Sequence, residues 1–193
     1  FLFAPRLHPA MRAVMPVRRV LGVRTVFNLL GPLANPAGVK RQVVGVYSNA
    51  VMLLVAGALA ELGAEHAWVV HGEDGLDELS VCAPTRVIEV RAGKITGELV
   101  VDPSKLGIPR AARADLAGGD AAENAKRLSA ILAGEERSPA ADAIALNAAA
   151  ALVVAGVADG LPSGLAASRA SMAEGAPAAK LSAVVRRARE LTA

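Results

Sequence analysis

The sequence predicts an α/β fold, a mostly parallel sheet flanked by helices, and three observations carry that expectation. Two short apolar runs, Gln42–Tyr47 and His66–Val70, bracket an apolar segment of helical length, and strand, helix, strand in that order lays two strands parallel. Hydrophobic residues make up 53% of the 193, yet aromatics only 3%, and alanine is abundant, which suits helices packed closely on a sheet. From Gly118 onward the pattern is helical to the end. A chain of this length can bury one real core.

The opening segment is the densest in chemical information. Phe1–Phe3 reads as the buried end of a strand, Pro5 stops it, and His8-Pro9 starts a helix in which Pro9 suits the first position. Arg12, Arg18, Arg19 and Arg24 follow, and then Asn28–Pro36 (NLLGPLANP) reads as a loop whose Gly31 and Pro32 direct the backbone. Guanidinium groups beside a Gly-Pro loop suit a flat anionic molecule, because the planar fork of arginine matches a carboxylate. Local chemistry leaves a second reading open, in which the arginines are a solvated face and Gly-Pro is an ordinary turn.

Next, Ser48-Asn49 is placed to cap a helix from Asn49 to about Leu62, with Gly63 ending it. That helix is apolar almost all round and is expected to be buried. The strand His66–Val70 leads into the loop His71–Ser80, and ligands of open α/β sheets bind beside such strand ends. Glu73, Asp74, Asp77 and Glu78 lie there, the first two expected to be solvated. Asp77-Glu78 could serve a hard cation, which takes one or two carboxylates, waters and substrate phosphates. On these residues alone an ordinary acidic surface turn is the simpler reading.

Thr85–Val101 alternates around Gly93 and Gly97 and predicts a hairpin, and Pro103–Leu106 one helical turn. Gly107–Leu116 is a basic connector. Asp120 with Glu123 forms a capping box for a helix from Ala121 to Ala133, closed by Gly134. Gly118-Gly119-Asp120 is not a phosphate loop, since no strand precedes it. A helix from Pro139 to about Ala155 follows, its apolar run shorter than the roughly 20 residues a bilayer span needs, with Asn147 as a hydrogen-bonded core amide. Gly164–Glu174 and Ala178–Leu191 close the chain, with Arg186, Arg187 and Arg189 as a solvated face. Cys82, the single cysteine, excludes an internal disulfide and points to a reducing cytoplasm. It and His66 are expected to be structural. The net charge of +3 is compatible with an anionic ligand but too small to argue nucleic-acid binding. No membrane association is expected.

The strings FLFAPRLHPAM, PVRRVLGVRTVFNLLGPLANP, VVHGEDGLDE, GGDAAENA and LNAAAAL, in this order, resemble the anthranilate phosphoribosyltransferase family of tryptophan biosynthesis along nearly the whole chain. The resemblance implies the larger α/β domain of the nucleoside phosphorylase/phosphoribosyltransferase fold. It also implies a magnesium-dependent glycosyltransferase joining anthranilate to phosphoribosyl pyrophosphate. Carried over by position, Arg18 would contact the anthranilate carboxylate, His8 and Met11 would line the ring's slot, Gly31 and Pro32 would form its floor, and Asp77 and Glu78 would hold Mg2+. No catalytic nucleophile is implied.

The family's Gly-Thr-Gly-Gly-Asp, Asn-x-Ser-Thr and Lys-His-Gly-Asn-Arg strings do not occur in these 193 residues. Residues 1–193 are therefore expected to be a partial domain, incomplete at its amino-terminal side and without the helical domain, inactive alone, with a homodimer expected for the full-length protein. Two alternatives remain: a nucleic-acid-binding paralogue of the same fold, using Arg110, Arg113 and the terminal arginines, and pyrimidine nucleoside phosphorylase.

Overall fold

The computed structural model describes residues 20, 27–35 and 37–191, and of Phe27 and Asn28 only the backbone. The expected strand at Phe1–Phe3, the helix opened by Pro9, and the site residues His8, Met11 and Arg18 lie outside the described residues. The elements run α1 (Phe27–Leu33), β1 (Arg41–Gly45), α2 (Met52–Glu61), β2 (His66–Gly72), β3 (Thr85–Arg91), β4 (Lys94–Val101), α3 (Ala121–Leu132), α4 (Pro139–Ala155), α5 (Leu161–Ala173) and α6 (Ala176–Glu190).

The α/β class holds, and among the described residues the sheet is mixed rather than mostly parallel. Its order is β1-β2-β3-β4; β1 and β2 pair in parallel, while β2–β3 and β3–β4 are antiparallel. The expected hairpin supplies both antiparallel pairings. It turns at Ala92 (φ 48°) and Gly93 (φ 71°), two consecutive left-handed residues whose twist matches that of the flanking strands. A register shift at Glu89/Val90 accommodates the extra residue of β4. Seven of the eight β4 residues are exposed, and Lys94 and Glu98 charge this outer strand, which discourages further pairing.

Strand β2 divides the interior. Its alternating side chains send Ala67 and Val69 into one cluster with Val55, Leu59 and Val90, and Trp68 and Val70 into another with Leu146, Ala149 and Val153. Helix α2 covers the first face and α4 the second. A strand buried on both sides reads as a continuous apolar run, as His66–Val70 does.

The helices start and stop where their residues demand. Asp120 Oδ1 accepts from the N–H of Ala122 and Glu123, and Glu123 Oε2 accepts from the Asp120 N–H, closing the capping box of α3. Ser138 caps α4, and Gly156 in the left-handed region ends it. The alanines of α4 let α5 come close. A Cβ on Gly164 would sit 2.9 Å from the Ala149 carbonyl oxygen, and Ser168 Oγ donates to the Ala145 carbonyl at 2.9 Å.

Two expectations are corrected here. Residues 28–36 are not wholly loop, because α1 runs through Gly31 and Pro32 to Leu33. Leu29 and Leu33, four apart on one helical face, pack against the α2 cluster, and that burial outweighs the turn signal. Pro32, one residue before the helix ends, withholds an N–H from the carbonyl four residues back, so the loss is confined to the helix's last turn. Helix α2 is buried through Met52, Val55, Ala56 and Leu59, but Leu53 and Leu54 are 62% and 65% exposed. An all-apolar segment cannot show in its sequence which face meets the sheet.

Candidate active site

The carboxyl ends of the parallel pair β1–β2 meet α1 at a cavity of about 260 Å³, with Pro32, Gly45, Tyr47, Val55 and Asp77 among its walls. Pro32 from the Gly-Pro segment and Asp77 from the acidic loop, distant in sequence, thus line one space. Gly31 and Glu78 are their direct neighbours but not part of its wall. No described atom lies within 4 Å of where a Cβ on Gly31 would stand.

The strand ends are stapled together. The Val46 N–H donates to the Val70 carbonyl at 3.0 Å, and His71 Nδ1 donates to the Val46 carbonyl at 2.8 Å. That bond fixes the proton of the imidazole on Nδ1, since a carbonyl only accepts.

The following loop is internally built. The Gly72 N–H donates to the Leu76 carbonyl at 2.8 Å, and Gly75 turns the chain at φ 89°. Asp74 accepts from the Ser80 hydroxyl at 2.9 Å and from the Leu76 N–H at 3.4 Å. Asp74 is therefore a structural carboxylate of the turn rather than a solvated one. Glu73 is exposed, as expected. The Ser80 hydroxyl accepts from the Cys82 N–H at 2.9 Å, and Arg113 donates to the Asp74 carbonyl at 2.9 Å.

Asp77 and Glu78 stand exposed, and neither has an ion-pair partner among the described residues. Desolvation by the surrounding loop, and then the like charge of Asp77, raise the Glu78 carboxyl above its ordinary value. Two neighbouring carboxylates with no ion-pair partner among the described residues are a donor set that suits a hard cation sharing its shell with water and phosphate oxygens. Among the described residues no three His, Cys, Asp or Glu side chains gather into an all-protein cage. The residues present therefore fit Mg2+ of the substrate-shared kind.

Other candidates resolve as structural. His66, 3% exposed, pairs with Glu89 at 3.0 Å. Burial first, then the Asp74 charge, raises the Cys82 thiol, which leaves little thiolate for chemistry. Asn147 is fully engaged with main-chain groups. Arg110 lies 3.5 Å from Asp102, and Arg113 is turned in toward Asp74, so the connector's cations are not arrayed as a free basic stripe. A larger cavity of about 840 Å³ opens between the connector, α4 and α5, and none of the expected site residues that are described (Gly31, Pro32, Asp77 and Glu78) lines it. Among the described residues no helix is long and apolar enough to cross a membrane.

Gly45 went unremarked in the sequence, although a glycine inside a strand pattern signals close approach of another backbone. Here a Cβ would overlap the Asp77 carbonyl oxygen. Tyr47, a wall of the cavity, carried no signal of its own.

A parallel strand pair whose carboxyl ends carry an acidic loop over a small cavity defines the class: the chain belongs to the glycosyl transferase family, a/b domain, whose pattern matches residues 1–178. Within it, the chain is similar to anthranilate phosphoribosyltransferases. It is 52% identical over 185 residues to the one from Anaeromyxobacter dehalogenans (strain 2CP-C), covering 96% of this chain and 54% of the relative. The crystal structure of the Thermus thermophilus enzyme matches with TM-score 0.84 at 48% identity, over 92% of this chain and 52% of that one. The Saccharomyces cerevisiae enzyme in complex with PRPP and Mg matches with TM-score 0.83 at 30% identity, over 93% and 51%. The chain spans about half the length of the curated relatives it matches.

Proposed function

We propose that the chain serves the magnesium-dependent transfer of a phosphoribosyl group from phosphoribosyl pyrophosphate to the amine of anthranilate. The observation that carries this reading is the cavity walled by both Pro32 and Asp77. Similarity to enzymes of that name, one of them solved with PRPP and Mg, supports it. On this reading residues 1–193 are part of the larger domain of that enzyme, and the full protein is a homodimer.

In the reaction the bond from ribose C1′ to the pyrophosphate oxygen breaks, the bond from C1′ to the amine nitrogen forms, and the amine loses a proton. Such a displacement is helped mainly by positioning and by stabilising the leaving charge. Asp77 and Glu78 would hold Mg2+, which supplies positive charge to the departing pyrophosphate. Gly31 and Pro32 would floor the aromatic slot, the missing side chain of Gly31 giving the ring room. Arg18 would receive the carboxylate, with His8 and Met11 beside the ring. No nucleophilic side chain is required.

The test uses the native gene product and follows the loss of anthranilate fluorescence against Mg2+ concentration. Chelation with EDTA, and Asp77→Asn combined with Glu78→Gln, should each abolish turnover. Wild-type rates in the double variant would overturn the assignment of the carboxylates.

A further inference from the structure

We infer that Asn147 is a positioning residue for the carboxylate pair, acting together with the bare backbone of Gly45. The inference rests on the reading of Asp77 and Glu78 as the cation-holding groups. Asn147 stands in α4, where its sequence neighbours Ala143–Leu146 and Ala148–Leu152 are all apolar. A carboxamide there is costly unless it is satisfied. Its Oδ1 accepts from the Leu79 N–H at 2.9 Å, and its Nδ2 donates to the Leu79 carbonyl at 2.9 Å and to the Ala143 carbonyl at 3.0 Å.

Both main-chain groups of one residue are thus held by one planar amide. Leu79 belongs to no strand or helix, so this side chain does for it what a neighbouring strand would do. The Leu79 side chain, 1% exposed, is anchored in the cluster beneath α4. Glu78 precedes it directly.

The other end of the pair is held from β1. The Asp77 carbonyl oxygen occupies the space that a side chain on Gly45 would fill. Residues 77 and 79 are therefore each pressed against a different rigid element, and Glu78 spans the short interval between them. The aim of both carboxylates is set by α4 and β1, not by the exposed loop that bears them. Groups that hydrogen-bond a metal's ligands typically alter its affinity by about 10–100-fold when removed, and Asn147 acts one residue farther out, through the Leu79 main chain.

A purely structural amide would lose stability on substitution without changing cation binding, and the experiment separates the two. Mg2+ affinity is read by isothermal titration calorimetry on the native gene product with phosphoribosyl pyrophosphate present, beside the melting temperature. Asn147→Leu is expected to weaken Mg2+ binding by about tenfold or more, with the anthranilate KM within about twofold of wild type. Asn147→Asp keeps the acceptor for the Leu79 N–H but sets its second oxygen against the Leu79 and Ala143 carbonyls that the amide nitrogen served; it guards against a misfolded Leu variant and should also weaken binding. Ser168→Ala removes a buried hydrogen bond to the same helix at Ala145 and should lower the melting temperature while leaving Mg2+ affinity unchanged. Mg2+ affinity in folded Asn147→Asp equal to wild type would overturn the inference, provided Asp77→Asn does weaken binding. Should Asp77→Asn leave Mg2+ affinity unchanged as well, the carboxylate reading itself falls and takes the inference with it.

Discussion

Glu89 offers a sharp test of how β2 and β3 are held together on the face they share. Its Oε1 accepts from Trp68 Nε1 at 3.0 Å, from His66 Nε2 at 3.0 Å and from Arg91 Nε at 3.1 Å. Trp68 is 4% and His66 3% exposed, so neither can turn to water for a replacement acceptor. Arg91 is half exposed and its pairing counts for little. Replacing Glu89 by Leu leaves two buried donors stranded, at about 1–3 kcal/mol each. Allowing for partial relaxation, the loss of folding stability should be about 2–4 kcal/mol.

The same residue predicts a pH dependence. Burial alone would raise the Glu89 carboxyl, but the hydrogen bonds from Trp68 and His66 and the charge of Arg91 outweigh it and hold it below its ordinary 4.5. A depressed carboxyl contributes stability that is present above the unfolded-state value and is lost as pH falls through the folded-state value. The chain's single tryptophan, Trp68, reports unfolding by its fluorescence in urea. Wild type should lose stability below pH 4.5, and Glu89→Leu should lack that component of the acid slope. A Glu89→Leu variant within about 0.5 kcal/mol of wild type would refute the accounting of stranded donors.

On the proposed reading, Arg18→Ala should raise the anthranilate KM at least about tenfold while sparing the phosphoribosyl pyrophosphate KM, since a charge-assisted hydrogen bond is worth about 1.5–3 kcal/mol; an unchanged anthranilate KM in steady-state assays would overturn that role for Arg18. Gly164→Val should push α5 off α4, because even a Cβ there meets the Ala149 carbonyl at 2.9 Å; a loss of about 1–3 kcal/mol is expected in urea titration, and a neutral variant would contradict the packing. Gly45→Ala should displace the Asp77 backbone and lower turnover far more than it lowers the melting temperature, which circular dichroism beside the fluorescence assay will check.

What was legible in the sequence is what is written in adjacent residues. Asp120 and Glu123 cap each other across one turn, Pro139 opens its helix, and Gly93 turns its hairpin; each is a short-range rule with a single outcome. The segment Asn28–Pro36 misled because its punctuation is local while its helix depends on Leu29 and Leu33 finding α2. Asp74 misled for a related reason: a carboxylate with three acidic neighbours reads as solvated until the Ser80 hydroxyl is seen folding back onto it. For the site, the string of residues suggested Pro32 and Asp77 separately. The parallel pairing of β1 with β2, which the strand-helix-strand order predicted, carries Asp77 to the cavity, and the packing of α1 on α2, which no local signal showed, carries Pro32 there.

The acidic loop also shows how little of a loop's shape belongs to the loop. Asp74 is held by Arg113 from the connector, Leu79 by Asn147 from α4, and Asp77 lies against Gly45 of β1. A graft of residues 73–84 onto another scaffold would carry every acidic side chain and none of these outside anchors. The segment is not a transferable cassette, and a substitution at any of three remote positions can alter it as surely as one within it. Lineages that diverge in this loop should therefore change it in concert with those positions, a pattern open to inspection wherever related sequences are set side by side.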